Sequence, residues 1–160
     1  MYITNNRTEL VLSLYKKLIH MKVITDLGCM DGATLDGISS TVTSKINYYG
    51  VDYSIPSEFV NPNNFTFIKC DLNLDLDEIR NIIKESDLIL ILDVLEHLHS
   101  PEIFLQKISK MMKRNAQILI SIPNASSVRK LIAWLKNDFP RDDIGYFDRT
   151  HRSWFTTKSI

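Results

Sequence analysis

Acidic residues recur where short apolar runs of the sequence end, a pattern that could bind a polar ligand. The runs end near Asp26, Asp52, Asp71 and Asp93. Asp52 follows a glycine turn by about 20 residues, the spacing at which nucleotide-binding folds place a carboxylate on a ribose diol. A carboxylate suits this task because it accepts hydrogen bonds from two vicinal hydroxyls at once. Asp52 alone would indicate only an exposed turn, and its counterparts after the other runs favour a ligand site.

The sequence from Asp26 to Gly32 forms a glycine turn between a β-branched run and a helix-forming segment. Gly28 and Gly32 would let the backbone approach a ligand at the helix N-terminus, although a plain turn is the alternative. A dinucleotide-binding motif has glycines at two further positions, where this chain has Met30 and Ala33. Binding of a nicotinamide cofactor is therefore disfavoured.

A third group of chemically capable residues, Asp93, Glu96 and His97, follows the fourth apolar run. Glu96 and His97 come three and four residues after Asp93, so a helical turn would put all three on one face. One interpretation is a strand-end loop stabilised by local hydrogen bonds. The other makes His97 a general base that deprotonates an acceptor hydroxyl, a role that histidine commonly has in enzymes.

Strand-like and helix-like segments alternate along the chain and would position these residues. The patterns predict helices at 8–19, 33–42, 76–84 and 101–113, a short or irregular helix between 52 and 65, and strands at 22–27, 46–51, 65–69, 87–92 and 117–122. We therefore expect an α/β, doubly wound, Rossmann-like fold of three α/β/α layers with strand order 3-2-1-4-5. Ligands of such folds bind outside the carboxyl ends of the strands, where the acidic residues lie.

Composition excludes several classes of protein. The 19 basic and 19 acidic residues cancel, so the net charge does not steer the chain toward nucleic acid or an anionic membrane. The longest apolar stretch is far shorter than the roughly 20 residues of a membrane span. We expect a cytoplasmic protein of one domain. Cys29 and Cys70 are too few for a disulfide framework and are expected to be free thiols.

From about Val23 to Asn124 the chain resembles the class I S-adenosylmethionine-dependent methyltransferases. The matching motifs are Asp-Leu-Gly-Cys-x-x-Gly at 26–32, Gly-Val-Asp at 50–52, Cys-Asp-Leu at 70–72 and Asp-Val-Leu-Glu-His-Leu at 93–98. The last is the most specific. With the Ile-Pro-Asn sequence at 122–124, it is similar to the branch that methylates sugars, lipid precursors and other small molecules rather than nucleic-acid bases.

The resemblance implies S-adenosylmethionine as cofactor and S-adenosylhomocysteine as product. The cofactor-binding residues that it implies are Asp26, Gly28, Cys29, Met30, Gly32, Asp52, Tyr53, Asp71, Leu72, Asp93 and Val94. In relatives the glycine turn contacts the methionine part, with Asp26 anchoring that loop or the amino group. Asp52 would bind the ribose and Asp71 the adenine amino group, with Leu72 beside the ring. Met30 stands where relatives commonly have glycine and could crowd the turn.

The segment 146–156 resembles one that lies close to the acceptor site in relatives, with the pattern Asp-Arg-Thr-His-x-x-x-Phe-Thr. An amphipathic connector with aromatic anchors is the alternative. The resemblance implies His97 and His151 as catalytic residues. Some relatives bind a divalent metal through a similar cluster, and here Glu96, His97 and His151 would be its ligands. We assign no metal ligand and keep this metal as an alternative.

We expect residues 1–160 to form one methyltransferase domain that is truncated at its C-terminus. Relatives add a helix and an antiparallel strand pair that complete a seven-stranded sheet. The fifth strand would then be an apolar edge, paired with a second subunit or covered by residues 125–139.

The predicted reaction is O-methylation of a sugar or another small hydroxylated metabolite, with no nucleic-acid or membrane partner. Two alternatives from other classes are a non-catalytic regulatory module that binds the cofactor and a nicotinamide-dependent oxidoreductase. The carboxylates Asp26, Asp52 and Asp71 are all present, which disfavours the first of these.

Overall fold

The computed structural model describes residues 4–13, 20–42, 45–54, 65–124, 132, 135, 136 and 148–156. The strands are β1 (Val23–Leu27), β2 (Asn47–Asp52), β3 (Phe65–Lys69), β4 (Leu88–Leu92) and β5 (Gln117–Ser121). The helices are α1 (Thr4–Ser13), α2 (Ala33–Thr41), α3 (Arg80–Glu85) and α4 (Pro101–Met111), with single 3₁₀ turns at Asp77–Ile79 and Leu95–His97. Within these ranges, no helix combines the length and apolar character needed to cross a membrane.

The five strands form one sheet of order β3-β2-β1-β4-β5, and every neighbouring pair is parallel. Both the fold class and the strand order predicted from the sequence are confirmed. In the middle of the sheet, Asp26 of β1 lies in register with Gly50 of β2 and Leu90 of β4. Because all strands run in one direction, their carboxyl ends meet at a single edge.

Strand β4 shows how the sheet buries both of its faces. Its side chains alternate across the sheet, as the two-residue period of a strand requires. Leu88, Leu90 and Leu92 pack on one face with buried residues of α1 and α2. Ile89 and Ile91 pack on the other face with buried residues of α3 and α4. The predicted three layers follow from this division, because helices cover both sides of a continuously apolar strand.

Most predicted boundaries agree with the structure to within one or two residues, and Phe65–Lys69 agrees at both ends. The helix predicted at 76–84 begins instead as the 3₁₀ turn, where Ile79 N donates to the carbonyl of Leu76 at 3.2 Å. Helix α1 begins at Thr4, four residues before its predicted start, and the predicted continuation over 14–19 lies outside the described residues. The irregular helix predicted between 52 and 65 also falls mostly outside them.

Strand β5 pairs with β4 and has no second neighbouring strand within the described part of the chain. Ile118 on this strand is 38% exposed, as expected of an edge. Beyond it, a single parallel bridge joins Asn124 to Phe155. The cover predicted from residues 125–139 falls mostly on residues that the structure does not describe. Cys29 and Cys70 are free thiols, as predicted, and both are buried.

Asp87 connects three chain segments at the amino ends of the strands, on the side of the sheet opposite to their carboxyl ends. Its Oδ2 accepts hydrogen bonds from the N–H groups of Lys22 at 2.6 Å and Val23 at 3.0 Å, and its Oδ1 accepts from the Lys113 ammonium. Its carbonyl accepts from Gln117 N, the first residue of β5. Although burial acts to raise it, the hydrogen bonds from Lys113, Lys22 and Val23 hold the pKa of Asp87 below its ordinary value.

Replacing Asp87 should destabilise the fold in a pH-dependent way. We expect Asp87→Ala to lower the free energy of unfolding by about 1.5–3 kcal/mol at pH 7, the cost of losing hydrogen bonds to a charged group. Because the folded-state pKa is depressed, this contribution is present above the ordinary value of about 3.9 and is lost as the pH falls through the lower folded value. Urea denaturation of the variant and the wild type at pH 7 and below pH 3 measures the difference in unfolding free energy and its loss in acid.

Asp77→Ala is the matched control, since Asp77 forms an exposed ion pair with Arg80 one helical turn away. Its unfolding midpoint should stay close to that of the wild type. Equal midpoints for the Asp87 variant and the wild type at pH 7 would contradict the anchoring role.

Candidate functional site

The glycine turn after β1 packs directly against the end of β2. Gly28 N and Cys29 N both donate to the carbonyl of Val51, at 2.7 and 3.1 Å. Gly28 has φ of +80°, and a Cβ added there would overlap the side chain of Val94. Only glycine fits this position, because the backbone conformation and the neighbouring side chain both exclude a larger residue. Val94 and the turn, both predicted at the site, are thereby brought together.

Met30 and Asp52 meet at the centre of this edge. Met30 N donates to Asp52 Oδ2 at 2.9 Å, and Ser54 N donates to Asp52 Oδ1 at 3.4 Å. Asp52 is buried, with 6% of its surface exposed. Met30 adopts φ of +50° and is 62% exposed, so it is not packed into the core of the turn. A carboxylate offers about four acceptor positions, so Asp52 can hold the turn and still bind a ligand.

The remaining predicted carboxylates differ in exposure. Asp26 is 3% exposed in the middle of the sheet. Asp71 is exposed after β3, and its Oδ1 accepts from the backbone N–H of Asn73 at 2.9 Å and from its amide at 3.3 Å, which closes a local turn. Leu72 packs partly buried against the core, whereas Tyr53 is 72% exposed. Near the ends of β1, β2 and β3, Asp26 and Asp52 are thus buried, whereas Tyr53 and Asp71 are exposed.

Asp93 ties the end of β4 to β5. Its N–H donates to the carbonyl of Ser121 at 2.9 Å, and its Oδ1 accepts from the Ser121 hydroxyl at 2.9 Å. Asp93 has φ of +54°, a conformation that aspartate adopts more readily than most residues. The 3₁₀ turn begins only at Leu95, so Asp93 does not share a helical face with Glu96 and His97.

The segment 148–156, which we call the strap, lies across the 3₁₀ turn. The carbonyl of Glu96 accepts from Arg152 N at 2.7 Å and from Ser153 N at 3.1 Å. These hydrogen bonds place the imidazole rings of His151 and His97 in an edge-to-face arrangement, with 4.8 Å between the ring centroids. The Trp154 ring packs against His151 at 5.6 Å. The two histidines predicted to be catalytic are therefore neighbours in the structure.

His97 is hydrogen bonded to a residue that the sequence alone did not single out. Thr150 Oγ1 lies 2.9 Å from His97 Nδ1 and 2.7 Å from Asp148 Oδ1. Although burial acts to raise it, the hydrogen bonds from Thr150 and the nearby His151 and His97 hold the pKa of Asp148 below its ordinary value. The Asp-x-Thr spacing is a local signal for such a turn, but nothing local pairs it with His97.

Glu96, His97 and His151 also bring one potential metal-ligand atom each to within 4.8 Å of one another. The Glu96 and His151 side chains are 2% and 3% exposed, and their Oε1 and Nε2 atoms lie 4.0 Å apart. Imidazole and carboxylate are suitable ligands for a divalent cation, and three of them are the usual protein complement of a catalytic zinc site. The cluster that the metal alternative requires is thus assembled.

A cleft of about 550 Å³ opens between the strap and the strand ends. It is lined by Asn73, His97, His99, Arg149, Thr150, His151 and Arg152. His99 is exposed on this wall, and its N–H donates to Asn73 Oδ1 at 2.9 Å. His20, by contrast, is exposed away from this cleft lining. The lining is polar and basic.

Comparisons with known proteins identify relatives of the whole fold. The model of a family described as a methyltransferase domain matches residues 6–160. A search of curated proteins finds no significant match. Among solved structures, a SAM-dependent methyltransferase from Archaeoglobus fulgidus is 23% identical, with a TM-score of 0.62 over 94% of this chain and 64% of that one.

Two further solved structures share the fold at lower identity. The plantazolicin methyltransferase BamL, in complex with a triazolic desmethylPZN analog and SAH, is 19% identical, with a TM-score of 0.64 over 97% of this chain and 57% of that one. Human N-acetylserotonin methyltransferase in complex with SAM is 19% identical, with a TM-score of 0.59 over 81% of this chain and 38% of that one. The chain thus spans less than two thirds of the length of these structures.

Substituting Gly28 should expose the constraint at the glycine turn. We expect Gly28→Ala to cost about 1–2 kcal/mol for the left-handed backbone and about 1–3 kcal/mol for the overlap with Val94. In a Val94→Ala background the overlap disappears, so the same substitution should cost only the backbone part. Chemical denaturation of the four proteins in this cycle measures the difference. Equal costs in both backgrounds would show that Val94 does not close the turn.

Proposed function

The chain belongs to the methyltransferase domain family, and we propose that it binds S-adenosylmethionine at the carboxyl edge of its sheet and methylates a small hydroxylated acceptor. The observation that carries this proposal is the contact between the glycine turn and Asp52, where Met30 N donates to a buried carboxylate. A turn whose backbone is open to a ligand and a carboxylate suited to a diol lie side by side there.

The described residues fit such a cofactor. Gly28 and Gly32 give the turn its positive-φ backbone without side chains, which supports a close approach of the methionine part. Asp52 would accept from the ribose hydroxyls, and the exposed Asp71 would accept from the adenine amino group beside Leu72. When bound, S-adenosylmethionine would supply a methyl group bonded to a positively charged sulfur. An acceptor oxygen attacks the methyl carbon, and the sulfur leaves as part of S-adenosylhomocysteine.

The cleft lined by the strap is the proposed acceptor site. Its imidazole, guanidinium and amide groups can hydrogen bond to a sugar or another polar metabolite. Methyl transfer depends largely on orienting the acceptor, which a cleft of fixed polar groups can do. These properties support a small hydroxylated acceptor over an apolar one.

His97 is the proposed general base. It lines the cleft, and an imidazole can accept the proton that a hydroxyl loses when its oxygen becomes methylated. His151 packs edge-on against His97 and supports the position of its ring. A metal at Glu96, His97 and His151 is the second candidate arrangement, and it is favoured by the spacing of the three potential ligands.

The ribose assignment predicts a loss of cofactor affinity. Asp52→Ala should weaken binding of S-adenosylhomocysteine by about 1.5–3 kcal/mol, because a charged hydrogen-bond partner is removed. Isothermal titration with the folded variant measures this. Asp36→Ala is the matched control, since that carboxylate is exposed on α2 and should leave affinity unchanged. Wild-type affinity in the Asp52 variant would refute the assignment.

The general-base assignment predicts a different pattern. His97→Ala should lower turnover about 10²-fold to 10⁴-fold while S-adenosylhomocysteine affinity stays close to that of the wild type. His20→Ala, an exposed histidine outside the cleft lining, should leave both unchanged. Steady-state methyl transfer to a panel of sugars and other hydroxylated metabolites provides the assay. Loss of wild-type turnover with a chelator and recovery with a divalent cation would favour the metal arrangement instead.

A further inference from the structure

Thr150 lies between the carboxylate of Asp148 and the imidazole of His97. Thr150 Oγ1 lies within hydrogen-bond distance of both Asp148 Oδ1 and His97 Nδ1, at 2.7 and 2.9 Å. A threonine hydroxyl has one hydrogen, so it can donate to only one of the two. The direction of this chain of hydrogen bonds therefore depends on the ionisation of Asp148.

Asp148 is the partner that must receive the hydroxyl hydrogen. Its Oδ1 also accepts from the backbone N–H of Thr150 at 2.8 Å, and an ionised carboxylate can only accept. An aspartate is ionised at neutral pH, since the ordinary pKa of its carboxyl is about 3.9. If Thr150 donated to His97 instead, its oxygen would face the carboxylate oxygen at 2.7 Å without a hydrogen between them.

The remaining contact then has one consistent assignment. Since the Thr150 hydroxyl donates to Asp148, its lone pairs accept the hydrogen of His97 Nδ1. A neutral imidazole carries a single hydrogen, so Nε2 is left with its lone pair. The geometry points to a relay in which Asp148 and Thr150 are positioning residues that hold His97 in the Nδ1–H tautomer, with Nε2 as the proton acceptor.

The backbone docking of the strap makes this relay a fixed part of the site. Arg152 N and Ser153 N donate to the carbonyl of Glu96, the residue next to His97. His151 N donates to the carbonyl of Asp148 at 3.1 Å, which closes the turn that holds Thr150. The relay is therefore tied to the 3₁₀ turn and to its own turn by main-chain hydrogen bonds, which no side-chain rotation disrupts.

This inference rests on the proposed function for its catalytic meaning. In the reaction, the proton of the acceptor hydroxyl passes to His97 Nε2 and leaves an imidazolium that carries hydrogens on both nitrogens. The Nδ1–H then donates to Thr150 with Asp148 behind it, so the negative charge of that carboxylate stabilises the cation as it forms. Neither positioning residue needs to contact the acceptor for this effect.

Nitrogen-15 NMR of the imidazoles tests the relay without cofactor or acceptor. At a pH where the histidines are neutral, wild-type His97, assigned by comparison with His97→Gln, should show the Nδ1–H tautomer. Thr150→Val removes the hydroxyl at nearly constant shape and should shift His97 toward Nε2–H, the form that free imidazole side chains favour in water. Thr150→Ser restores a hydroxyl and should restore the wild-type pattern.

Thr66→Val, an exposed substitution on β3, controls for loss of a threonine hydroxyl and should leave the His97 signals unchanged. A wild-type Nε2–H tautomer, or an unchanged tautomer in Thr150→Val, would overturn the relay. Urea denaturation of each variant confirms that it is folded.

Turnover separates the relay from the proposed function. Thr150→Val should lower turnover, at most by the full contribution of a general base, which is about 10²-fold to 10⁴-fold. Affinity for S-adenosylhomocysteine should stay unchanged, and Thr150→Ser should recover the activity. A chain with the Nδ1–H tautomer but no methyl transfer to any acceptor would retain the relay and refute the function. An active enzyme in which His97 has the Nε2–H tautomer would retain the proposed function and refute the relay.

Discussion

Parallel pairing of β1 with both β2 and β4 is the constraint on which the rest of the molecule depends. It forces each connection to cross the sheet and return, so helices cover both faces and the strand ends collect at one edge. Asp26 and Asp52 lie near the carboxyl ends of β1 and β2, and the glycine turn, Asp71 and the 3₁₀ turn follow β1, β3 and β4. The apolar Leu88–Leu92 strand makes this arrangement stable, because both of its faces are buried.

Two backbone carbonyls position the site residues at the carboxyl ends of the strands. The carbonyl of Val51 accepts two hydrogen bonds from N–H groups of the glycine turn, which fixes the turn against β2 and brings Met30 to Asp52. Glu96 receives two N–H groups from the strap, which fixes Thr150 and His151 beside His97. In both places main-chain hydrogen bonds set the position, and the side chains that could do chemistry are held as a consequence.

The sequence predicts the first of these arrangements better than the second. Period-two and continuously apolar patterns locate strands such as Phe65–Lys69, and parallel pairing then implies that Asp52 lies near the glycine turn. The positive φ of Asp93 and its bonds to Ser121 have no comparable pattern. Thr150 is 53 residues from His97 in the sequence. Their contact depends on hydrogen bonds from the strap to the backbone carbonyl of Glu96. Because every residue has such a carbonyl, no sequence motif identifies this contact.

The buried position of Cys29 has a consequence for the chemical durability of the glycine turn. Its sulfur packs where a Cβ on Gly50 would overlap it, and burial, reinforced by Asp26 and Asp52, raises the pKa of this thiol far above its ordinary value. The thiolate is the form that reacts with oxidants and alkylating agents. Burial therefore protects Cys29 while the turn is folded, and its alkylation would report that the turn has opened.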